Sequence, residues 1–358
     1  MKACILSTVD MSRMTMASIY TDYFDKNGIE YDYIYVDKFK DPIMGSPTMI
    51  YPYSAEGFEN AAFVPKLLHY WKMRKFATQL FKQRDYDFLV VWGSLTAFIF
   101  ADIIKKFLCN KCCINIRDFF YNDNWLMNKW LSVAMNNATF NTVSSDALIP
   151  YLPGKKFIAI HSLNESLLYS LTPRKKLRDK KEPLRIMYIG WIGRLEYVYK
   201  IIDDLKDDTR FELYFIGMGA EDVDKYIEGK NICNVRTHGK FPPQDTSMYL
   251  ENADIIYNLY GFGSKHFDIA LSIKLYYAIY MHIPLLGFKG TYTLETAQKC
   301  GIGFEVNPTN FYGLGDRLYS FYHGLDQREI SEKCDQYIDS IRDNNERLRI
   351  ELDAILMA

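Results

Sequence analysis

The stretch "ALSIKLYYAIYMHIP", residues 270 to 284, combines an apolar, aromatic helical pattern with a lysine in its first turn. Ser272 is a suitable N-cap and Pro284 stops the helix, so the pattern places Lys274 two residues inside the N-terminus. A helix N-terminus carries about half a positive charge and unpaired N–H groups, so a lysine there is unfavourable by a few tenths of a kcal/mol. An anion between the two would make the arrangement favourable. The sequence therefore predicts an anion site at this helix start.

A second positively charged stretch is "YIGWIGRLEYVYK", residues 188 to 200. Gly190 and Gly193 bracket a strand-to-helix turn, where glycine lets backbone N–H groups approach an oxygen-rich ligand, and Arg194 and Lys200 add positive charge. The alternative is that both cations simply face water. The spacing lacks the third glycine of the dinucleotide fingerprint, which argues against a nicotinamide-dependent dehydrogenase.

The elements that must position these residues follow a regular alternation of strand-length apolar runs and helical patterns, which is typical of parallel sheets covered by helices. We expect an α/β chain of two doubly wound, Rossmann-like domains that bind ligands at the carboxyl ends of their strands, across an interdomain cleft. In such a sheet the helix starts after the first and fourth strands border one crevice. Arg194 and Lys274 are therefore predicted to hold one diphosphate.

The domain bounds follow from a charged segment without a hydrophobic repeat, residues 170 to 183, which we interpret as a linker. It separates an N-terminal domain, residues 1–170, from a C-terminal domain, residues 184–325. Residues 326–358 are predicted to be helices that can pack back on the N-terminal domain. Residues 40 to 65 are rich in Pro, Gly and Tyr without a period, and we predict a loop there.

Composition argues against several classes of protein. The 43 basic and 44 acidic residues give a net charge of -1, so a broad nucleic-acid-binding face is not expected. No stretch reaches the roughly 20 apolar residues that span a bilayer. The start "MKACILSTVD" predicts a strand, since a signal peptide needs a longer apolar core. The seven cysteines have no framework spacing, which indicates free thiols in the cytosol.

A metal site is not expected. Cys109, Cys112 and Cys113 have no second Cys or His pair at zinc-finger spacing, so Cys113 is predicted to pack in a strand. The Asp-x-Asp sequence at Asp85 and Asp87 precedes a predicted strand and is interpreted as its polar entry.

Several polar residues near predicted strand ends are candidates for acid–base chemistry or anion contacts. Asp10 follows the first strand, where its carboxylate is either a general base or a cap of the next turn. Asp118 and His161 follow later strands of the first half, and we take Asp10 and Asp118 as the catalytic candidates. Lys265 and His266 stand in a loop of the second half and are candidates for donor contacts, although a lone histidine is more often structural.

The stretch "KLLHYWKMRKFATQLFK", residues 66 to 82, is aromatic on one side and basic on the other. A basic amphipathic helix can lie on an anionic membrane surface. The alternative is a helix that faces the core and has a solvated basic face. The basic residues are Lys66, Lys72, Arg74, Lys75 and Lys82.

The second half of the chain resembles the donor-binding domain of GT-B glycosyltransferases, of the kind grouped with family 4 that build bacterial capsule and surface polysaccharides. The resemblance covers roughly residues 184 to 306, and the ordered set of motifs is more specific than any one of them. The motifs are "YIGWIGR", "FELYFIGMG", "NVRTHGKF", "ADIIYNLYG", "ALSIKLYYAIYMHIPLL" and "ETAQKCGIGFEV".

The resemblance implies that Arg194 and Lys274 bind the donor diphosphate, with Lys200 a weaker candidate. It also implies that the backbone of a turn lies against the nucleobase; this turn comprises Gly239, Lys240 and Phe241. Many relatives have an acidic residue three places after the lysine, where it holds the ribose hydroxyls, and this chain has Tyr277 there. A phenol offers one group where a carboxylate accepts from two hydroxyls, so ribose binding must be shared or moved.

Together with the cationic helix starts, the resemblance implies a metal-independent hexosyltransferase that uses a nucleotide diphosphate sugar, UDP-linked by preference, and no cofactor. The acceptor is expected to be a glycan, lipid-linked at the inner face of the cell membrane, so that the protein is cytoplasmic or peripheral on that face. A sugar-nucleotide 2-epimerase of similar fold and a non-catalytic nucleotide-sugar-binding protein are the alternatives. Incubation with the donor alone separates the first alternative, because an epimerase needs no acceptor.

Overall fold

The computed structural model describes the chain except residues 15, 41, 55–62, 119–123, 162, 164 and 358. The chain divides into two compact units. The first unit comprises Met1–Ser162 together with Asp343–Ala358, and the second comprises Leu163–Arg342. Within the described residues, no helix is both long and apolar enough to cross a membrane.

The first unit is a parallel sheet with the strand order β3-β2-β1-β4-β5-β6-β7. The strands β2 and β3 lie on one side of β1, and β4 to β7 follow on its other side. The sheet is therefore doubly wound. The strands are β1 Lys2–Ser7, β2 Glu30–Asp37, β3 Met49–Ser54, β4 Phe88–Trp92, β5 Cys112–Ile116, β6 Phe140–Val143 and β7 Phe157–Ala159. The helices are α1 Ser18–Lys26, α2 Phe63–Gln83, α3 Ser94–Ile99, α4 Ala101–Phe107 and α5 Trp125–Asn137.

The strand β3 corrects the prediction of a loop over residues 40 to 65. It pairs in parallel with β2 at the edge of the sheet, with Tyr35 opposite Pro52. Proline has no N–H to donate to a neighbouring strand, so within a sheet it is found mainly in edge strands. Its presence also makes the local sequence less typical of a strand. The neighbouring residues Ile50 and Tyr51 favour strand formation, and the prediction of a loop did not take this preference into account.

The second unit is also a doubly wound parallel sheet, with the order β10-β9-β8-β11-β12-β13. Its strands are β8 Leu184–Ile189, β9 Phe211–Ile216, β10 Val235–His238, β11 Ile255–Asn258, β12 Leu285–Phe288 and β13 Gly303–Val306. Its helices are α6 Glu165–Ser170, α7 Leu195–Leu205, α8 Ala220–Ile227, α9 Thr246–Leu250, α10 Lys265–Asp268, α11 Ile273–Met281, α12 Tyr292–Lys299 and α13 Leu314–His323. The last helix, α14, spans Gln327–Leu356.

The two ends of α14 pack into different cores. Ile330, Cys334 and Ile338 belong to a buried cluster of the second unit. Leu348 and Leu352 are buried among core residues of the first unit. The helix therefore contributes its apolar face to both units, in agreement with the division of the chain at residue 342.

The segment predicted as a linker, residues 170 to 183, falls inside the second unit. Arg174 and Arg178 each lie within 4 Å of the buried carboxylate of Asp254, at 3.7 and 3.5 Å. Arg185 of β8 donates two further hydrogen bonds to the same carboxylate through its guanidinium, at 3.0 and 3.3 Å. A buried carboxylate needs such partners, so the charged composition of this segment anchors it to the sheet.

Candidate functional site

The switch point of the second sheet lies between β8 and β11, where the strand order reverses. Ligands of doubly wound sheets bind at the carboxyl ends of the strands beside such a point. The segments that border it are residues 190–194 after β8 and residues 259–272 after β11, which leads into α11. The crevice defined by these two segments is the candidate site.

The turn after β8 is fixed by the turn after β9. Gly217 has φ +136°, and a Cβ at this position would lie 1.8 Å from the carbonyl oxygen of Gly190. Gly219 has φ +96°, and its Cβ would lie 2.6 Å from the carbonyl oxygen of Ile192. The N–H of Ile192 donates to the carbonyl oxygen of Met218, at 2.8 Å. Glycine is required at both positions of the second turn, because a side chain would push the two turns apart.

Arg194 stands at the N-cap position of α7 in the left-handed region, with φ 54° and ψ 51°. Left-handed backbone is uncommon for a residue other than glycine, so the conformation is held by its surroundings. Its guanidinium carbon lies 5.0 Å from the ring centre of Phe267, and a guanidinium nitrogen lies 3.8 Å from the carboxylate of Glu196. The side chain is 44% exposed and therefore remains open to a ligand.

Lys274 lies in the first turn of α11, and the predicted N-cap is confirmed. The Ser272 hydroxyl accepts a hydrogen bond from the Lys274 N–H, at 3.3 Å. The Lys274 Nζ lies 5.1 Å from the ring centre of Tyr188 and 5.9 Å from that of Tyr260. Within the described residues, no carboxylate lies within ion-pairing distance of it.

The ammonium of Lys274 is held in an unfavourable environment. The residue as a whole is only partly buried, yet desolvation lowers the pKa of its ammonium to about 8. A lysine whose ammonium is desolvated and has no neighbouring carboxylate is often part of a functional site.

The two cations contact three rings, Tyr188, Tyr260 and Phe267, which we call the aromatic cluster. Tyr260 and Phe267 meet edge to face, with ring centres 5.9 Å apart. Arg194 lies against Phe267 and Lys274 lies against Tyr260 and Tyr188. The Gly193 N–H also donates to the Tyr188 hydroxyl, at 3.3 Å, which ties the glycine turn to the same cluster. None of the three rings was among the residues predicted from the sequence, because none is adjacent in sequence to Arg194 or Lys274.

A further polar group at this edge of the sheet is Asn258, the last residue of β11. It is 4% exposed, and its side-chain oxygen has no hydrogen-bond partner within the described residues. Leaving a buried acceptor unpaired costs about 1–3 kcal/mol, so a donor from a bound molecule would be stabilising here. Asn258 was not among the residues predicted from the sequence, because it is a single polar residue in the apolar run "DIIYNLY".

Lys200 does not contact the aromatic cluster. Its ammonium donates to the Pro308 carbonyl oxygen at 3.5 Å and lies 5.4 and 5.7 Å from the ring centres of Tyr197 and Phe311. These partners belong to α7 and the segment after β13. The structure therefore places Arg194 and Lys274 against two rings that contact each other, Phe267 and Tyr260, and places Lys200 against other rings.

Two predicted donor contacts, Lys265 and His266, lie in the short helix α10 and are exposed. The ring of His266 lies 5.5 Å from that of Phe267, so this helix borders the aromatic cluster. Tyr277, three residues after Lys274, is 8% exposed and packs in the core of the second unit. Burial raises the pKa of its phenol to about 12, so the group is neutral at physiological pH.

The turn predicted to lie against a nucleobase follows β10, the edge strand. Gly239 and Lys240 are exposed. Phe241 is partly buried and packs on Tyr249, with ring centres 4.9 Å apart. The role of this turn stays a prediction.

The catalytic candidate Asp10 lies after β1 in the first unit and is 1% exposed. One carboxylate oxygen accepts from the Ser12 N–H at 3.2 Å, and the other accepts from the N–H groups of Lys38 and Phe39 at 2.6 and 3.2 Å. Of the two roles weighed for Asp10, the structure shows the cap of the following turn, and its role as a base stays a prediction. The second candidate, Asp118, is exposed.

His161 is buried beyond β7, and burial lowers the pKa of its imidazole to about 4, with Arg117 contributing a further decrease. It is therefore neutral near pH 7.

Cys113 is buried in β5, as predicted, and Asp87 accepts from the Lys2 N–H at the entry of β4. Within the described residues, no group of three or more His, Cys, Asp or Glu side chains is arranged to hold a metal ion.

Comparison with known proteins yields no match to any family model and no match in sequence to a curated protein. Solved structures do match along the whole chain. A glycosyltransferase from Rickettsia africae aligns with a TM-score of 0.67 at 14% identity, covering 100% of both chains. The lipopolysaccharide outer core galactosyltransferase WaaB aligns with a TM-score of 0.64 at 14% identity, covering 98% of this chain and 99% of that chain. Anabaena HepE in complex with UDP-glucose aligns with a TM-score of 0.62 at 12% identity, covering 99% of this chain and 100% of that chain.

At such low identity these similarities establish the fold and nothing finer. The chain has the GT-B fold, with two Rossmann-like domains of parallel strands, and the predicted fold class is confirmed.

Proposed function

We propose that the chain is a glycosyltransferase that binds a nucleotide diphosphate sugar at the crevice between β8 and β11. The observation that carries the proposal is Lys274, a desolvated ammonium without a carboxylate partner in the described residues, at a helix N-terminus. Arg194 and the glycine turn meet the same aromatic cluster, so two cations and a helix dipole converge where a diphosphate would lie. UDP-sugar is the preferred donor, because HepE of the same fold was solved with UDP-glucose.

In the proposed reaction an acceptor hydroxyl oxygen forms a bond to the anomeric carbon of the sugar, and the bond from that carbon to the diphosphate breaks. The hydroxyl proton passes to a base, for which Asp10 and Asp118 remain the candidates. The diphosphate gains negative charge as it leaves. Lys274, Arg194 and the first N–H groups of α11 stabilise this charge without the need for a metal ion.

We further infer that the acceptor is a glycan, lipid-linked, and that the role is surface polysaccharide synthesis of the family-4 type at the inner face of the cell membrane. The sequence motifs of the second half support this inference. The galactosyltransferase WaaB, of the same fold, acts on the lipopolysaccharide outer core by its description. The N-terminal domain would bind the acceptor, and residues 66–82 would contact the membrane.

The test of the donor site is the substitution Lys274→Met, which keeps the length of the side chain and removes its charge. We expect UDP to bind about 10- to 100-fold more weakly, because a charge-assisted contact contributes about 1.5–3 kcal/mol. The unliganded variant should be as stable as the wild type or more stable, since the desolvated charge is gone. Isothermal titration calorimetry and urea unfolding measure the two effects.

Lys200→Met is the matched control, because it removes an ammonium from the same unit outside the aromatic cluster. Its UDP affinity should stay within about threefold of the wild type, as for an exposed charge. Equal losses in both variants would contradict the assignment of Lys274 as the diphosphate ligand.

The activity itself is tested with a panel of nucleotide sugars, first by thermal shift, since a ligand at 100 times its Kd adds about 2.7 kcal/mol of stability. The stabilising sugar is then incubated with the protein, with and without a glycan acceptor and with and without EDTA. Transfer that survives EDTA supports the proposal. A changed sugar without acceptor would indicate a 2-epimerase, and binding without any turnover would indicate a non-catalytic binding protein.

A further inference from the structure

The helix α2 has one buried face and one exposed face that is both apolar and basic. Met73 and Ala77 are fully buried against the first unit. On the opposite face Leu68 and Trp71 are 54% and 62% exposed. Lys72, Lys75 and Lys82 are exposed on that face at helical spacing. Residues 68–82 thus combine a face that is buried against the core with an exposed face that is aromatic and basic.

A second helix of the same unit, α5, adds to this surface. Its first turns expose Trp125, Leu126 and Trp130, while Leu131 and Ala134 are buried. The α2 and α5 helices both pack on α3. We call the exposed side of α2 and α5 the tryptophan face; it is made of Leu68, Trp71, Lys72, Lys75, Trp125, Leu126, Lys129 and Trp130.

An apolar groove of about 640 Å³ opens between the two helices. It is lined mainly by Leu68, Trp71, Phe98 and Trp130. Its charged members are Arg74 and Asp102, which pair with each other at 2.5 Å and so leave no net charge in the groove.

The surroundings of the groove are positively charged, although the chain as a whole has a net charge of -1. Residues 68–83, 94–107 and 125–137 contain one acidic residue, Asp102, which Arg74 neutralises. The same three segments contain further basic residues, namely Lys72, Lys75, Lys82, Lys105, Lys106 and Lys129. This local charge favours an anionic partner over a neutral one, because the exposed lysines attract negative charge.

We propose that the tryptophan face docks on an anionic lipid bilayer surface. Tryptophan is suited to the level of the lipid headgroups, where its ring is buried and its N–H stays wet, and lysine reaches from an apolar face to the headgroup phosphates. The groove between α2 and α5 takes hydrocarbon from the bilayer. This inference deepens the proposed function, on which it rests for its purpose, since a lipid-linked acceptor lies at such a surface.

The experiment is co-sedimentation of the full-length protein, without donor, with vesicles of phosphatidylcholine alone or mixed with phosphatidylglycerol. We expect binding to the mixed vesicles only, with affinity that falls as salt is added. The double substitution Trp71→Ser and Trp130→Ser should lower the vesicle affinity by about tenfold or more. Ile350→Ser, an exposed apolar residue of the same unit, is the matched control and should bind as the wild type does.

A second pair, Lys72→Glu and Lys75→Glu, changes only exposed charges and therefore tests the proposal even if the tryptophan variant fails to fold. We expect its affinity for mixed vesicles to fall by well over tenfold, because each basic residue near such a surface contributes about fivefold. Lys26→Glu, an exposed lysine of the same unit, is its control.

Wild-type protein that stays in the supernatant with mixed vesicles at low salt would overturn the proposal. Self-association of that protein, abolished by the tryptophan substitutions, would assign the face to a second copy of this chain instead. A thermal shift with UDP, measured on the wild type and on each variant, tests the donor site independently of the membrane surface. Vesicle binding without any response to nucleotide sugars would refute the donor site and leave the membrane surface intact.

Discussion

Lys274 is the residue on which the proposed chemistry depends most. Contacts with the faces of Tyr188 and Tyr260 attract its ammonium, and such contacts are worth about 0.5–1 kcal/mol when exposed and more when desolvated. Desolvation by burial lowers the pKa of the lysine to about 8. In the free protein the charged ammonium of Lys274 is therefore destabilised, and a bound anion would remove this destabilisation. This is the physical reason to expect tight binding of a diphosphate at a site with only two cations.

The lowered pKa predicts a pH dependence that has opposite signs for binding and for stability. A bound diphosphate favours the charged lysine and raises its pKa, so binding takes up a proton. Above pH 8, UDP affinity should fall by up to about tenfold per pH unit. The unfolded chain has an ordinary lysine pKa near 10.5. Between about pH 8 and that value the unfolded chain binds more protons, so the unliganded protein gains stability as the pH rises.

Calorimetric titration near pH 8.5 in buffers of different ionisation enthalpy measures the proton uptake. Lys274→Met should show neither the uptake nor the gain in stability. An affinity that stays constant from pH 7 to 10 would mean that the ammonium does not contact the ligand.

At the scale of elements, the decisive feature is the contact between the turns after β8 and β9. Gly190 and Gly217 meet backbone to backbone, and Gly219 meets Ile192. The turn after β8 carries Arg194 in a left-handed conformation. Its position is therefore set by the neighbouring turn as well as by its own sequence.

Gly217→Ala is predicted to destabilise the protein by about 2 kcal/mol or more and to weaken UDP binding. The new Cβ would lie 1.8 Å from the Gly190 carbonyl oxygen, and φ of +136° is strained for any residue other than glycine. Urea unfolding and titration calorimetry measure both effects.

The matched control is Gly239→Ala, where a Cβ meets nothing within 4 Å and φ is not positive. Its stability should stay within about 0.5 kcal/mol of the wild type. If Gly217→Ala also left the free energy of unfolding unchanged, the two turns would have to be more loosely packed than the structure indicates.

At the scale of the whole molecule, each unit has its own core and the last helix contributes to both. Leu348 and Leu352 lie in the core of the first unit, and the Tyr23 hydroxyl of α1 donates to Asp353 at 2.5 Å. The proposed donor site is formed entirely by residues of the second unit. Stability and donor binding can therefore be separated by substitution.

Leu352→Ala should lower the free energy of unfolding by about 2–4 kcal/mol, because it leaves a cavity at a fully buried position. UDP affinity at a temperature where the variant is folded should change by less than about twofold, as expected for distant independent sites. Chemical unfolding and titration calorimetry give the two values. Ile350→Ala, on the exposed side of the same helix, should leave both unchanged, and a large loss of UDP affinity in Leu352→Ala would show that the cores are energetically coupled.

The sequence by itself determined the alternation of strands and helices, the fold class, the Ser272 cap and the two helix starts that carry cations. These features depend on neighbours three or four residues away, so the local pattern contains them. The tertiary structure alone decided that Arg194 and Lys274 share the aromatic cluster while Lys200 lies apart. It also decided that Asp10 accepts hydrogen bonds from the N–H groups of Lys38 and Phe39, and that residues 49–54 pair with β2 as an edge strand. Each of these outcomes depends on partners brought together by sheet order, and no local pattern encodes the distance between residues that are far apart in the chain.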